Sequence, residues 1–217
     1  KNLNADISFT DISLSLIKSF PNAEVYIKDL KIINHAPFKG ETFATGKDLS
    51  FKLPIKELFK GQEEPLMVNE IVAKELMLTL KTNSNGTNNY DILREKELTT
   101  NSASKDNTGF SFNIQNYKII NSAFTYLNQD NKTSLYLTEF NHQGQGIFSS
   151  NSSQLNTTTA SKISIAVDST SYLSNTTIQL DALIDLDLEK NIYTFNGNKA
   201  LLNALPLEFG GYVKLVE

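Results

Sequence analysis

LNADISFTDISLSLIKSFPNAEVYIKDLKIIN, residues 3–34, is the stretch that decides the fold. Apolar and serine residues alternate over Ile12–Leu16, the period-two pattern of a strand with one apolar face. The alternation stops at Phe20–Asn22, because proline fixes its own φ and has no N–H to donate to a ladder. Apolar residues then recur along Val25–Ile32. The stretch therefore predicts a β-hairpin over Leu3–Ile33 that turns at Phe20–Asn22.

Alternating strand patterns continue through the rest of the first half of the chain. One covers Leu49–Ile55 and ends near Pro54, and Pro54–Gly61 has the proline, apolar spacing and final glycine of one short helix. A further strand over Met67–Leu80 has Leu76, Leu78 and Leu80 on one face. The turn signal Asn83–Gly86 follows it, and Tyr90 and Ile92 begin the predicted return.

Residues 94–109 are polar and small and have no periodicity, which is typical of a flexible connection. We therefore place a boundary there, between a unit at residues 1–93 and a second β-meander unit at residues 110–217. Short strands are predicted between Phe110 and Leu137, a Ser/Thr/Asn loop over Asn151–Ala160, and the longest strand over Tyr172–Leu188. The sequence thus predicts an all-β fold, mainly antiparallel, with one short helix.

The longest strand has an apolar side that would run about 36 Å at ~3.3 Å per residue. Such a face needs a cover, and two interpretations stay open. In one, a second sheet or the short helix covers it and the residues form a sandwich core. In the other, the face is open and binds a ligand. Its alternate positions are Ile178, Leu180, Ala182, Ile184, Leu186 and Leu188.

Composition and side-chain inventory disfavour several classes of function. A formal net charge of -4 and a single arginine, Arg94, leave no basic stripe for nucleic acid. The chain has no cysteine, and His35 and His142 lack neighbours that would form a catalytic triad or a metal site. Asp181, Asp185, Asp187 and Glu189 are interpreted as a solvated acidic face and not as a calcium site. We expect no enzyme activity, no catalytic residue, no metal and no cofactor.

The sequence resembles the AsmA family of bacterial envelope proteins, especially its Bacteroidetes-type members. The resemblance depends on residues near the amino terminus, on Asn89–Ile92, and on an aromatic-Asn-Gly pattern that begins at Tyr193–Phe195. The amino-terminal matches are Asn2, Ala5, Phe9, Asp11, Ser19, Phe20, Pro21 and Asn22. The resemblance implies that the chain is the amino-terminal portion of such a protein and that a membrane helix precedes residue 1. It also implies a location on the periplasmic side of the inner membrane.

AsmA-like proteins are similar to bridge-type lipid transfer proteins, in which repeated strands form a long hydrophobic groove. This implies a curved, open sheet that binds phospholipid acyl chains and supports lipid transport between membranes and outer-membrane biogenesis, with possible envelope protein partners. The groove candidates are Leu76, Leu78, Leu80, Ile178, Leu180, Ile184, Leu186 and Leu188. The alternative is a structural or protein-interaction β-sandwich that binds no ligand and recruits partners at its edges.

Overall fold

The computed structural model describes residues 3–17, 19–61, 66–92, 112–148, 152–187, 190 and 192–214. They form twelve strands and one short 3-10 helix, Ile55–Phe59. The strands are β1 (Ala5–Ser8), β2 (Asp11–Ser15), β3 (Asn22–Asn34), β4 (Thr42–Pro54), β5 (Leu66–Lys74), β6 (Met77–Thr82), β7 (Phe112–Asn128), β8 (Thr133–Phe148), β9 (Ser152–Val167), β10 (Thr170–Asp187), β11 (Ile192–Leu202) and β12 (Leu205–Lys214).

All twelve strands belong to one curved sheet. Its order is β1-β3-β4-β5-β7-β8-β9-β10-β11-β12, with β2 beside β3 and β6 between β4 and β7. Strands β5 and β6 pair with β7 in parallel, and every other described ladder is antiparallel. The prediction of an all-β, mainly antiparallel fold is confirmed, and β10 is the longest strand, as its sequence pattern predicts.

The predicted amino-terminal hairpin is confirmed, with its turn before Asn22. Strands β1 and β2 both pair with β3, so the first arm of the hairpin is interrupted at Phe9 and Thr10. The predicted helix is also present, as the 3-10 turn directly after β4. The buried carboxylate of Glu57 holds it in place: it accepts a hydrogen bond from the Met67 N–H (2.9 Å) and pairs with Lys60 Nζ (2.6 Å).

Four local predictions were wrong. The single strand predicted over Met67–Leu80 is two strands, since β5 ends at Lys74 and β6 begins at Met77. Residues 152–160 are not a loop but the first half of β9, which pairs with β8 and β10. No return strand forms at Tyr90 and Ile92; among the described residues after β6, a single bridge joins Thr82 and Asn88, and the Asn89 N–H donates to the carbonyl of Lys81. The short strands predicted between Phe110 and Leu137 are two long strands, β7 and β8.

The predicted connection at residues 94–109 lies outside the described residues, as does Glu189. On either side of that connection, β5 and β6 pair with β7 within the same sheet, from Leu66 beside Phe112 to Thr82 beside Asn128. The division into units at residues 1–93 and 110–217 stays a prediction.

A row of left-handed residues crosses the sheet. Asp29, Glu75 and Asn121 have φ of 51°, 50° and 47° and occupy corresponding positions of β3, the β5–β6 junction and β7. Glu139 in β8 and Asn175 in β10 have similar φ values of 51° and 49°. Aspartate, glutamate and asparagine can occupy this region more cheaply than β-branched residues, which meet a steric clash between Cβ and the carbonyl.

Each left-handed residue shifts the phase of side-chain alternation within its strand. Before Asn121, Ile119 faces the same side of the sheet as Ala73. The next residue of β7 on that side is Ser122, three positions after Ile119, whereas regular alternation would place it two positions after. The same step of three separates Ile27 from Leu30 on β3. The β5–β6 junction and β7 make the shift together, so their parallel pairing keeps the same offset on both sides of it, whereas the β7–β8 ladder changes register beside Asn121. One face therefore continues unbroken across the row.

We predict that Asn121 tolerates glycine but not isoleucine. Asn121→Ile should lower the free energy of unfolding by about 1–2 kcal/mol, because a β-branched side chain is strained at positive φ. Asn121→Gly should stay within about 0.5 kcal/mol of the parent, since glycine occupies this region freely. Urea denaturation of both variants tests the difference. Equal stability of the two would contradict the assigned backbone conformation.

Candidate functional site

Strand register divides the sheet into an apolar face and a polar face, since directly paired residues point to the same side. In the middle of the sheet, Phe124 lies between Leu78 and Leu137, and Tyr126 between Leu80 and Leu135. The face continues to both edges. Its larger members in β1–β4 are Ile7, Ile12, Leu14, Val25, Ile27, Leu30, Ile32, Leu49 and Phe51, and in β10–β12 they are Ile178, Leu180, Ile184, Leu186, Tyr193, Phe195, Leu202, Leu205, Leu207, Phe209 and Val213.

The described charged residues that have register partners lie on the polar face. Lys52 and Lys118 both reach Glu70, at 4.0 Å and 3.0 Å, across three neighbouring strands. Further along the sheet, Lys199 lies between Asp181 and Glu208. Among the described strand positions paired on the apolar face, none is aspartate, glutamate, lysine or arginine. At its described and paired positions, the apolar face therefore carries no formal charge except through histidine.

Within the described part of the chain, no second layer covers the apolar face. The substantial contacts between elements join neighbours in the sheet, apart from those between β4 and the short helix that follows it. In all the described residues, only nine apolar side chains are buried, and five of them are alanines. On the outer strands Ile12, Leu14, Leu205 and Phe209 are exposed. A sandwich core would bury such residues instead.

Small side chains on the apolar face are nevertheless buried. Thr157 is 2% exposed, and Ser153, Ser161 and Ala182 are similarly covered, whereas Thr158, on the opposite side of the same strand, is exposed. Without a second layer, this cover comes from the larger side chains around them on the same face. The difference between the two sides shows that the apolar face is the more closely packed side of the sheet, and we call this apolar surface the trough.

A polar chain lies within the apolar face. Tyr117 Oη and Thr159 Oγ1 each lie 2.8 Å from a ring nitrogen of His142, so the neutral ring can accept one hydrogen bond and donate the other. The His142 ring also stacks on Phe140, with centroids 5.6 Å apart. Gly144 makes room for the Tyr117 ring, because a Cβ there would come within 2.5 Å of it.

Burial keeps the Tyr117 and His142 side chains uncharged at neutral pH. It lowers the pKa of His142 and raises the pKa of Tyr117, since a low-dielectric surrounding disfavours the charged form of each. The only histidine that the described register places on the apolar face is therefore neutral under physiological conditions.

The other polar candidates lie away from this face. His35 Nε2 is 2.9 Å from Asp6 Oδ1 at the sheet edge. Asp185 accepts hydrogen bonds from Gln154 and Asn196 on the polar face, and Asp187 pairs with Lys190. Within the described residues, no group of three or more histidine, aspartate or glutamate side chains is arranged to hold a metal ion.

The structure brings most of the predicted groove residues onto one surface. Leu78 and Leu80 of β6 share the apolar face with Ile178, Leu180, Ile184 and Leu186 of β10, and Leu76 lies at the β5–β6 junction with its N–H bonded to Ser122 Oγ (3.0 Å). Leu188 lies outside the described residues. The two predicted patches are separated by β7, β8 and β9, which complete the surface between them.

Sequence reasoning missed two parts of this face. Strand β12 contributes Leu205, Leu207, Phe209 and Val213, whose alternation was a usable signal. The Tyr117–His142–Thr159 chain joins residues of three strands, and only strand register brings them together.

No protein-family model, curated protein or solved structure matches this chain. None of the described helical segments is long and apolar enough to cross a membrane.

We predict that His142 makes stability depend on pH below about 6.5, its ordinary pKa. The unfolded chain binds a proton there, whereas the folded protein keeps the ring neutral to lower pH. The free energy of unfolding should therefore fall as pH drops from 6.5 to the folded pKa, and then level off for this group. Urea denaturation between pH 7.5 and 5 should show this decline, and His142→Gln should flatten it. A decline unchanged in His142→Gln would assign it to another group.

Proposed function

We propose that the apolar face binds phospholipid acyl chains and that the protein works as part of a lipid-conducting groove in the bacterial envelope. The observation that carries the proposal is a charge-free apolar face with no covering layer among the described elements. Burial of methylene groups against such a surface contributes about 0.8 kcal/mol each, without directional contacts. A ligand held in this way can slide along the surface.

The dimensions of the face suit this ligand. Ten strand positions at ~4.8 Å spacing extend about 43 Å across the sheet, compared with the ~15 Å hydrocarbon depth of one bilayer leaflet. The left-handed row runs in the same direction, across the strands. We infer that acyl chains lie along this direction in the trough, with headgroups exposed at its opening.

The resemblance to AsmA-like envelope proteins gives the proposal its setting. On this basis the protein acts on the periplasmic side of the inner membrane, without catalysis, and supports phospholipid traffic towards the outer membrane. The lack of charge on the apolar face agrees with a cargo of acyl chains, because an ionised group there would be strongly unfavourable in contact with hydrocarbon.

A protein-interaction module is the second candidate, and the edge strand β12 favours it. Every residue of β12 is exposed, and β12 pairs with β11 alone among the described strands. An unprotected edge of this kind can accept a strand from a partner. Chains purified free of lipid would favour this candidate over the groove.

We predict that Ile184→Asp reduces the phospholipid that co-purifies with the chain at least severalfold. Ile184 lies on the apolar face between Leu155 and Phe195, so its replacement places a carboxylate in the acyl-chain path. Mass spectrometry of phospholipid per mole of protein measures the effect, with a thermal melt of each variant to verify folding.

Leu183→Asp is the matched control. Leu183 is the preceding residue of β10, points to the polar face between Asn156 and Asn196, and is 38% exposed. This variant should keep the lipid content of the parent chain. Normal lipid in a folded Ile184→Asp variant would contradict the groove. Loss of folding in Ile184→Asp together with a lipid-free parent would indicate a closed core covered by another layer.

A further inference from the structure

The three most exposed large apolar side chains of the described residues lie at one corner of the sheet. They are Ile17 and Phe20, in the turn between β2 and β3, and Phe59, at the end of the short helix, with 91%, 78% and 83% of their surface accessible. We call these three residues the corner. Leu16 and Leu58, beside them in the chain, are also exposed.

Backbone contacts hold the two halves of the corner together. Asn22 pairs with Pro54 at the ends of β3 and β4, and the Ile55 N–H donates to the carbonyl of Pro21 at 3.3 Å. The Phe20 N–H contacts the carbonyl of Ile17 across the turn (3.5 Å). Buried Glu57 fixes the helix to β5, which leaves Phe59 pointing outward. The exposure of the corner therefore belongs to an ordered structure.

We propose that the corner inserts into the interfacial region of a phospholipid bilayer. Two phenylalanines and one isoleucine offer on the order of 500 Å², below the ~800 Å² per partner that a stable protein interface buries. They also project from two separate segments, the β2–β3 turn and the short helix, whereas protein interfaces need complementary surfaces. A bilayer interface accommodates isolated protruding apolar side chains without such complementarity.

Charge indicates which bilayer surface is suitable. The chain has a formal net charge of -4, so long-range attraction does not draw it to anionic lipid. Insertion through the corner is apolar and should proceed on vesicles of neutral phospholipid. It should also change little with salt, unlike adsorption through lysines.

The corner adjoins the apolar face. Leu14, near the end of β2 and three residues before Ile17, pairs with Val25 on that face. The inference deepens the proposed function by naming a docking point where lipid could pass between bilayer and trough, and it rests on that function only for this role. Bilayer docking itself can be tested separately, because corner and trough use different side chains.

Vesicle flotation with phosphatidylcholine and phosphatidylethanolamine tests the docking. The double variant Phe20→Ser/Phe59→Ser should bind at least about tenfold more weakly than the parent, since it removes the two largest apolar side chains of the corner. Its thermal melt should be unchanged, because both rings are exposed. The control Tyr172→Ser/Tyr212→Ser also removes two exposed aromatic rings, 66% and 72% accessible, and should bind as the parent does.

Tryptophan reporters provide a second measurement, because the chain has no tryptophan. Phe20→Trp and Phe59→Trp should shift their emission to the blue on adding vesicles and be quenched by brominated acyl chains, whereas Tyr172→Trp should show neither effect. Ile184→Asp should retain vesicle binding. Loss of lipid binding by the trough and loss of vesicle docking by the corner are therefore distinguishable. A parent chain that does not float, equal flotation of the serine double variant, or a dimer dissociated by that variant would each overturn the proposal.

Discussion

Register between neighbouring strands is the constraint on which the apolar face depends. A strand slipped by one residue would turn its apolar positions to the opposite side. Left-handed residues cause such a change of phase within single strands, and the sheet accommodates it because β3, the β5–β6 junction and β7 make it at corresponding positions. Ala73, Ile119 and His142 are then neighbours before the row, and Leu78, Phe124 and Leu137 after it. The continuity of the face depends on this coordination.

The same feature explains what could be predicted from the sequence. Regular alternation identified β2, β3 and β10 and the all-β class, because those patterns are long compared with their interruptions. In β7, the apolar positions Tyr117, Ile119 and Phe124 change phase at Asn121, and a change of phase looks like the end of a strand. Read by period alone, one long strand becomes several short ones. Asparagine also favours turns, which strengthened the wrong interpretation.

The first half of β9 was missed for a different physical reason. Apart from Leu155, its buried positions are filled by the small polar residues Ser153, Thr157 and Ser161, so hydrophobicity does not alternate along this half of the strand. The large side chains that cover them come from elsewhere on the same face, and their approach is fixed by long-range pairing. For the candidate site, the sequence showed the two patches on β6 and β10, but not that β7, β8 and β9 join them. The polar chain around His142 depends on that same pairing.

The parallel pairing of β5 and β6 with β7, called the joint here, affects how quickly the protein folds. Strands β7 to β12 follow one another as successive hairpins, so each finds its partner close by in the chain. Across the joint, paired residues such as Val72 and Lys118 are separated by a crossover that includes residues 83–111. Closing such a loop costs more conformational entropy before any pairing rewards it, and parallel pairing cannot begin from a tight turn. The joint should therefore form after the carboxyl-terminal hairpins, and it sets the slowest step in assembling the trough.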